Sequence, residues 1–422
     1  MHDPAVADGV CRESRKFLVC GIGEAETNAS CTQLEEEPMR SRIQMLGATL
    51  VVASACHDGP TNASRSPAVD IAPRAAATEA PSTSTVRWNR RSVALFRARG
   101  GDVGRINSYL SIAQYRAVLA AQAERHGQSR ASAAGAAAGA SVVVLKQFYP
   151  LDATAIDTQL EAQRAESPLG AEINADFAAG EAIGRAVATA VLAWAASDNY
   201  VQTPPGTPPV GEGFWVSSGA PIVRGGFGAR PFFLTSESEL RAAPPPAFGS
   251  ARYLADLAEV RAISDSRTAE QLEIARKWAP FANPVWSGVA ADLLDKYHRS
   301  ELESARTLAY ANAAEFDAII ACWDSKFTYW FIRPSQADPG ITLPIGLPNH
   351  PSYPSGHSCA DGAWRGVLTD AFPSERVLIE RLEQEGGMSR IYGGIHYRFD
   401  IETGHAIGRA AARLALERRG LE

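Results

Sequence analysis

His350-Pro351-Ser352-Tyr353-Pro354-Ser355-Gly356-His357 leads straight into the helical run Ser358–Phe372. Pro and Gly at a helix entrance leave backbone N–H groups without partners, and the helix dipole favours negative charge at that end. Ser355 adds a hydroxyl, and Gly356 lets a ligand come close to the backbone. Within Pro354–His357, His357 is the residue able to carry protons near neutral pH. The stretch reads as an anion-binding helix entrance or, more plainly, as a helix cap beside a surface histidine.

Upstream, Lys326-Phe327-Thr328-Tyr329-Trp330-Phe331-Ile332-Arg333-Pro334 places two cations seven positions apart. Periodicity predicts one long helix over Ser300–Ile332, ended by Pro334. On such a helix Lys326 and Arg333 share a face about 10 Å apart along the axis, close enough to close around one small anion. A solvated helix face is the other reading. Downstream comes Ser389-Arg390-Ile391-Tyr392-Gly393-Gly394-Ile395-His396-Tyr397-Arg398-Phe399-Asp400. Arg390 supplies a planar fork suited to an oxyanion. His396 offers a ring nitrogen as nucleophile or ligand. Asp400 can orient that imidazole or cap a helix starting at Ile401, and the two roles can coexist.

Taken in order, the segments read K-x6-RP, PSGH and SR-x5-H-x3-D. On these residues the sequence resembles the type 2 phosphatidic acid phosphatase/vanadium-dependent haloperoxidase superfamily. Ala321-Cys322-Trp323-Asp324-Ser325-Lys326, the stretch His350–His357 and Ser389–His396 resemble bacterial vanadium-dependent haloperoxidase-like proteins in particular. With Trp88-Asn89, the Pro-rich middle and Arg267-Thr268-Ala269-Glu270-Gln271, the likeness extends over about 86–420.

The resemblance implies an all-α architecture of helical bundles and a vanadate cofactor, in a site that phosphate can also occupy. It implies hydrogen peroxide and halide as substrates and a hypohalous acid equivalent as product. By the same resemblance His396 coordinates vanadium, and Lys326, Arg333 and Arg390 neutralise the oxyanion, helped by Ser355 and the Gly356 N–H. His357 hydrogen-bonds the apical oxygen and moves protons, while Lys326 polarises the peroxide. In the alternative, a soluble acid phosphatase, His396 attacks a phosphate ester to form a phosphohistidine and His357 protonates the leaving alcohol. A third reading is a surface lipoprotein that keeps the pocket only to bind oxyanions. His350 resembles the bromoperoxidases of the family, whereas Trp323 resembles its chloroperoxidases, so the two residues disagree over the halide.

The whole chain agrees with an ordinary folded protein: 422 residues, 45% hydrophobic, 21% charged, net charge −6. Disordered, collagen-like and coiled-coil classes are excluded. The acidic balance argues against a nucleic-acid surface. Met45–Ala55 and Ala133–Leu145, the longest apolar stretches noted, are shorter than the about 18 residues of a membrane span, and no such span is expected. Arg40 and Arg42, the apolar run Met45–Val52 and Ala53-Ser54-Ala55-Cys56 resemble a bacterial lipoprotein signal over 39–56. That resemblance implies export, a lipid anchor on Cys56 as the sole membrane attachment, and residues 1–38 as an over-long gene start; a short buried helix is the alternative.

Residues 57–86 read as a flexible tether, 87–199 as an N-terminal helical bundle, 200–250 as an irregular Pro/Gly-rich connection and 251–422 as the catalytic bundle. Alternation is too short anywhere to build a sheet. Cys322 and Cys359 are expected as near neighbours, either free thiols in the core or a disulfide.

Overall fold

Side-chain caps set the helix starts. Asp102, Ser132, Asp176, Thr268, Ser300 and Ser355 each accept a first-turn N–H of the helix that follows. The computed structural model describes residues 82–422 apart from 127–128, 167–171, 173–174, 201–205 and 223–225. The signal-like stretch, Cys56 and most of the tether lie outside these residues. The helices are α1 (Ser84–Arg99), α2 (Val103–Ala123), α3 (Ala133–Phe148), α4 (Ala153–Glu166), α5 (Phe177–Ala195), α6 (Ala251–Ser266) and α7 (Ala269–Lys277). They continue with α8 (Ala282–Lys296), α9 (Glu301–Tyr329), α10 (Pro334–Ala337), α11 (Gly356–Ala371), α12 (Arg376–Tyr392) and α13 (Arg398–Arg418).

The all-α expectation holds. A small three-stranded sheet joins β1 (Arg125–His126), β2 (Ser129–Ala131) and β3 (Ala175–Asp176), with β1–β2 antiparallel and β2–β3 parallel. Strands of two or three residues carry no periodic signal, so sequence reading passes over them. Their effect is to lash the entrances of α3 and α5 side by side. Along those helices glycine brings the backbones into contact: a Cβ on Gly184 would lie 2.0 Å from the Ala136 carbonyl oxygen. By length and composition α5 could cross a membrane, which the sequence reading did not note. Here it packs on α3, and its Glu181 pairs with Arg164 and Arg185 at 2.7 and 2.8 Å.

The N-terminal and C-terminal halves share one hydrophobic core, running from Val86 to Leu421. They are not two separate bundles. The helix α9, 29 residues long, is its axis and packs against α2, α11 and α13. The end of the expected tether belongs to this core as well: the Glu301 carboxylate accepts the N–H groups of Ser84 and Thr85 at 2.9 and 2.7 Å. A polar seam crosses the halves: Asn107 donates to Asn283 (2.8 Å), Asn283 to Glu315, and the Trp364 indole to Glu315 (2.7 Å). The irregular connection lies along α9. Asp317 accepts the N–H groups of Phe232, Phe233 and Leu234, and Arg241 grips Asp324 through two bonds of 2.6 Å.

Three expectations need correction. The long helix ends at Tyr329, where Trp330 turns left-handed (φ 49°, ψ 35°), and Arg333 is extended (φ −82°, ψ 152°). Lys326 and Arg333 therefore do not share a helical face. Pro334 disfavours the helical region for the residue before it, so the helix must unwind earlier. Residues 376–392 form α12, a helix not foreseen because Gly386-Gly387 interrupts its pattern. The last helix starts at Arg398 rather than Ile401. Cys322 and Cys359 are both buried and carry free thiols.

Candidate functional site

Lys326 is fully buried near the end of α9 and reaches the loop that precedes α11. Its ammonium donates to the carbonyls of Pro351 (2.9 Å), Ser352 (2.8 Å) and Pro354. All three protons are thus committed to the loop. Burial draws its pKa down to about 8. Lys326 fixes the loop and brings charge to the site, while the uncommitted donors come from elsewhere.

That loop hands over to Ser355, the cap of α11, whose Oγ accepts from the N–H and hydroxyl of Ser358 at 3.3 and 3.0 Å. Its own proton remains to be donated. Gly356 opens the helix, where the N–H groups have no intrahelical acceptor. A Cβ placed on Gly356 would meet nothing within 4 Å, so open space lies beside this backbone.

His396 has a defined tautomer. Its Nε2 is 3.1 Å from Arg333 Nη1, and a guanidinium can only donate, so Nε2 is the acceptor. Nδ1 carries the proton and donates to Asp400 Oδ2 at 2.8 Å. The same oxygen accepts the Ser352 hydroxyl (2.5 Å) and the Tyr397 N–H (3.2 Å). Asp400 therefore orients the imidazole and also reaches back to cap α13 from its first turn. Burial, then the charges of Arg333 and Lys326, push the His396 pKa well below its ordinary value. A neutral ring with a directed Nε2 lone pair results.

Arg333 is held by both parts of His350: Nε donates to the His350 carbonyl and Nη2 to its ring Nδ1, each at 3.0 Å. The His350 ring stands edge-on to Trp323 with centroids 4.7 Å apart. The two residues that disagree over the halide are thus in contact.

Arg390 lies in the last turn of α12, and its Nε donates to Ser389 Oγ at 2.9 Å. Its Nη2 is buried and has no hydrogen-bond partner. Across from it, His357 Nε2 is 2.9 Å from the Trp278 carbonyl, which can only accept, so the lone pair is at Nδ1. Burial and then Arg390 hold the His357 pKa well below its ordinary value.

The fold thus gathers Lys326, Arg333, Ser355, Gly356, His357, Arg390, His396 and Asp400 around one space. An orphaned guanidinium N–H, an uncommitted hydroxyl proton, a free helix entrance and a neutral histidine lone pair fit an oxyanion such as vanadate or phosphate. Sequence reading missed Ser352 and Trp278 as supports. Ser352 lies within the quoted stretch, but Trp278 acts through a backbone carbonyl, which leaves no trace in residue type.

Architecture and site together define a vanadium haloperoxidase-like fold. Among solved structures the chain is similar to the first bacterial vanadium-dependent iodoperoxidase, at 23% identity and a TM-score of 0.68 over 80% of this chain and 96% of that one. It is also similar to a bacterial vanadium-dependent chloroperoxidase in its apo form (14% identity, TM-score 0.60, 74% of this chain and 92% of that one). For the holo form the figures are 15%, 0.59, 78% and 92%. No protein-family model matches the chain, and no curated protein does. Likeness at these identities establishes the fold and leaves the reaction to the chemistry of the site.

Proposed function

We propose that the protein is a vanadate-dependent haloperoxidase, oxidising halide with hydrogen peroxide to a hypohalous acid equivalent. The observation that carries this is the His396 tautomer: Asp400 holds Nδ1–H, so the ring's lone pair is at Nε2, where vanadium would take the place of the Arg333 N–H that it now accepts. Arg333, Arg390, the Ser355 hydroxyl and the Gly356 N–H would hold the vanadate oxygens, with Lys326 adding charge from behind the loop. Bound vanadate supplies a Lewis acid that activates peroxide. His357 is neutral with its lone pair at Nδ1, so it can take a proton from entering peroxide and return it to a departing oxygen.

A phosphatase would use the same His396 Nε2 as nucleophile but needs His357 protonated to release the alcohol. Burial and Arg390 oppose that protonation in the free site, and a bound oxyanion would favour it. One assay pair decides between them. Purified protein, with and without added vanadate, is tested for peroxide-dependent oxidation of iodide and bromide, and for hydrolysis of an aryl phosphate. Vanadate-dependent halide oxidation is expected. Phosphate hydrolysis blocked by vanadate, with no halide oxidation, would establish the phosphatase instead.

A further inference from the structure

Close to Arg390 lie further buried polar atoms without hydrogen-bond partners. They include Asp361 Oδ2 and His405 Nε2. Asp361 is completely buried on α11, one helical turn after His357, and its Oδ1 accepts the Trp286 indole N–H at 2.8 Å. His405 on α13 brings its Nε2 to 3.9 Å from Asp361 Oδ2.

The helix α12 is shaped to receive this pair. A Cβ on Gly386 would stand 2.5 Å from Asp361 Oδ2, and one on Gly387 would stand 3.1 Å from His405 Nε2. Glycine inside a helix costs about 1 kcal/mol relative to alanine, so two in succession suit close approach rather than helix formation. Gly386 is one turn before Arg390 and thus on the same face. Asp361 is also the charge that stabilises the guanidinium, against burial and the repulsion of Arg333.

We propose that Asp361, held by Trp286 and backed by His405, is the positioning carboxylate of Arg390, keeping its fork aimed at the oxyanion space and so setting oxyanion affinity. This rests on the oxyanion-site reading above but not on the reaction. Asp361 touches no reacting atom; it acts through Arg390. Without it the guanidinium loses the nearby negative charge that offsets its burial and can swing from the space that it serves.

The test is a double-mutant cycle read by calorimetric binding of inorganic phosphate and of orthovanadate to the full chain. Asp361→Asn, which keeps an acceptor for Trp286, is expected to weaken binding about tenfold; in an Arg390→Gln background the same change alters affinity by less than about twofold. Gly386→Ala, which displaces the carboxylate without removing its charge, should reproduce both results if Asp361→Asn folds poorly. Unchanged or tighter binding in Asp361→Asn, or equal losses in the two backgrounds, would overturn the proposal. Wild-type protein that binds neither anion would instead overturn the oxyanion-site reading itself.

Discussion

At the scale of single residues, the site works by holding two histidines neutral and pointing opposite nitrogens. His396 turns Nε2 toward Arg333, whereas His357 keeps Nδ1 free because a carbonyl holds its Nε2. These roles separate in experiment. His396→Ala should abolish vanadate binding, measured by calorimetry, together with any halide oxidation. His357→Ala should bind vanadate within a few-fold of wild type yet turn over about 100-fold or more slowly, the usual range for a lost general acid–base. Equal loss of both in His357→Ala would contradict a proton-carrying role. These eight residues were legible as a motif, through its resemblance to a known family. Their tautomers and the carbonyl cage around Lys326 were not, since both depend on partners brought in from distant segments.

Between elements, the decisive contact is that of α11 with α13, because it sets His357 and Ser355 against His396 and Asp400. A Cβ on Gly408 would lie 2.1 Å from the Cys359 carbonyl oxygen. Gly408→Ala should therefore force the helices apart and destabilise the protein by about 2 kcal/mol or more, the range of overpacked cores. Denaturant unfolding measures this, and oxyanion affinity should fall with it. A variant as stable as wild type would show that the helices have slack there. Periodicity and capping residues made most helices readable, for they act within a few residues. Helix α12 escaped because its buried face carries Gly386, Gly387 and Arg390 where a core-facing pattern calls for apolar residues.

Over the whole molecule, Glu315 links the halves from the middle of the polar seam. Burial raises its pKa from 4.5 to about 7, opposed by the bonds from Asn283 and Trp364. A folded state that favours the proton gains stability fully present below the unfolded pKa, near 4.5, and lost as pH rises through about 7. The difference amounts to about 3 kcal/mol at the alkaline end. Glu315→Gln keeps an acceptor for both donors and cannot ionise, so its melting temperature should fall less between pH 5 and pH 8 than that of wild type. Parallel profiles would remove Glu315 from the account. Export is a separate proposal carried by the signal-like stretch. Cys56→Ser should move the protein from the membrane to the soluble fraction with activity intact, and a native protein that keeps its Met1 N-terminus would refute it.

The sequence by itself determined the all-helical class, most of the helices and the candidate oxyanion residues that the motif singles out. Apolar spacing, caps and proline act locally, and the motif residues are chemically distinctive wherever they fall. Only the tertiary structure decided that Arg333 leaves the helix of Lys326, that Lys326 is held by loop carbonyls, and that Asp361 comes against Gly386, one turn before Arg390. Those outcomes follow from burial. A charged group removed from water takes whatever partners the packed helices bring to it, and those partners are set by contacts between segments far apart in the chain.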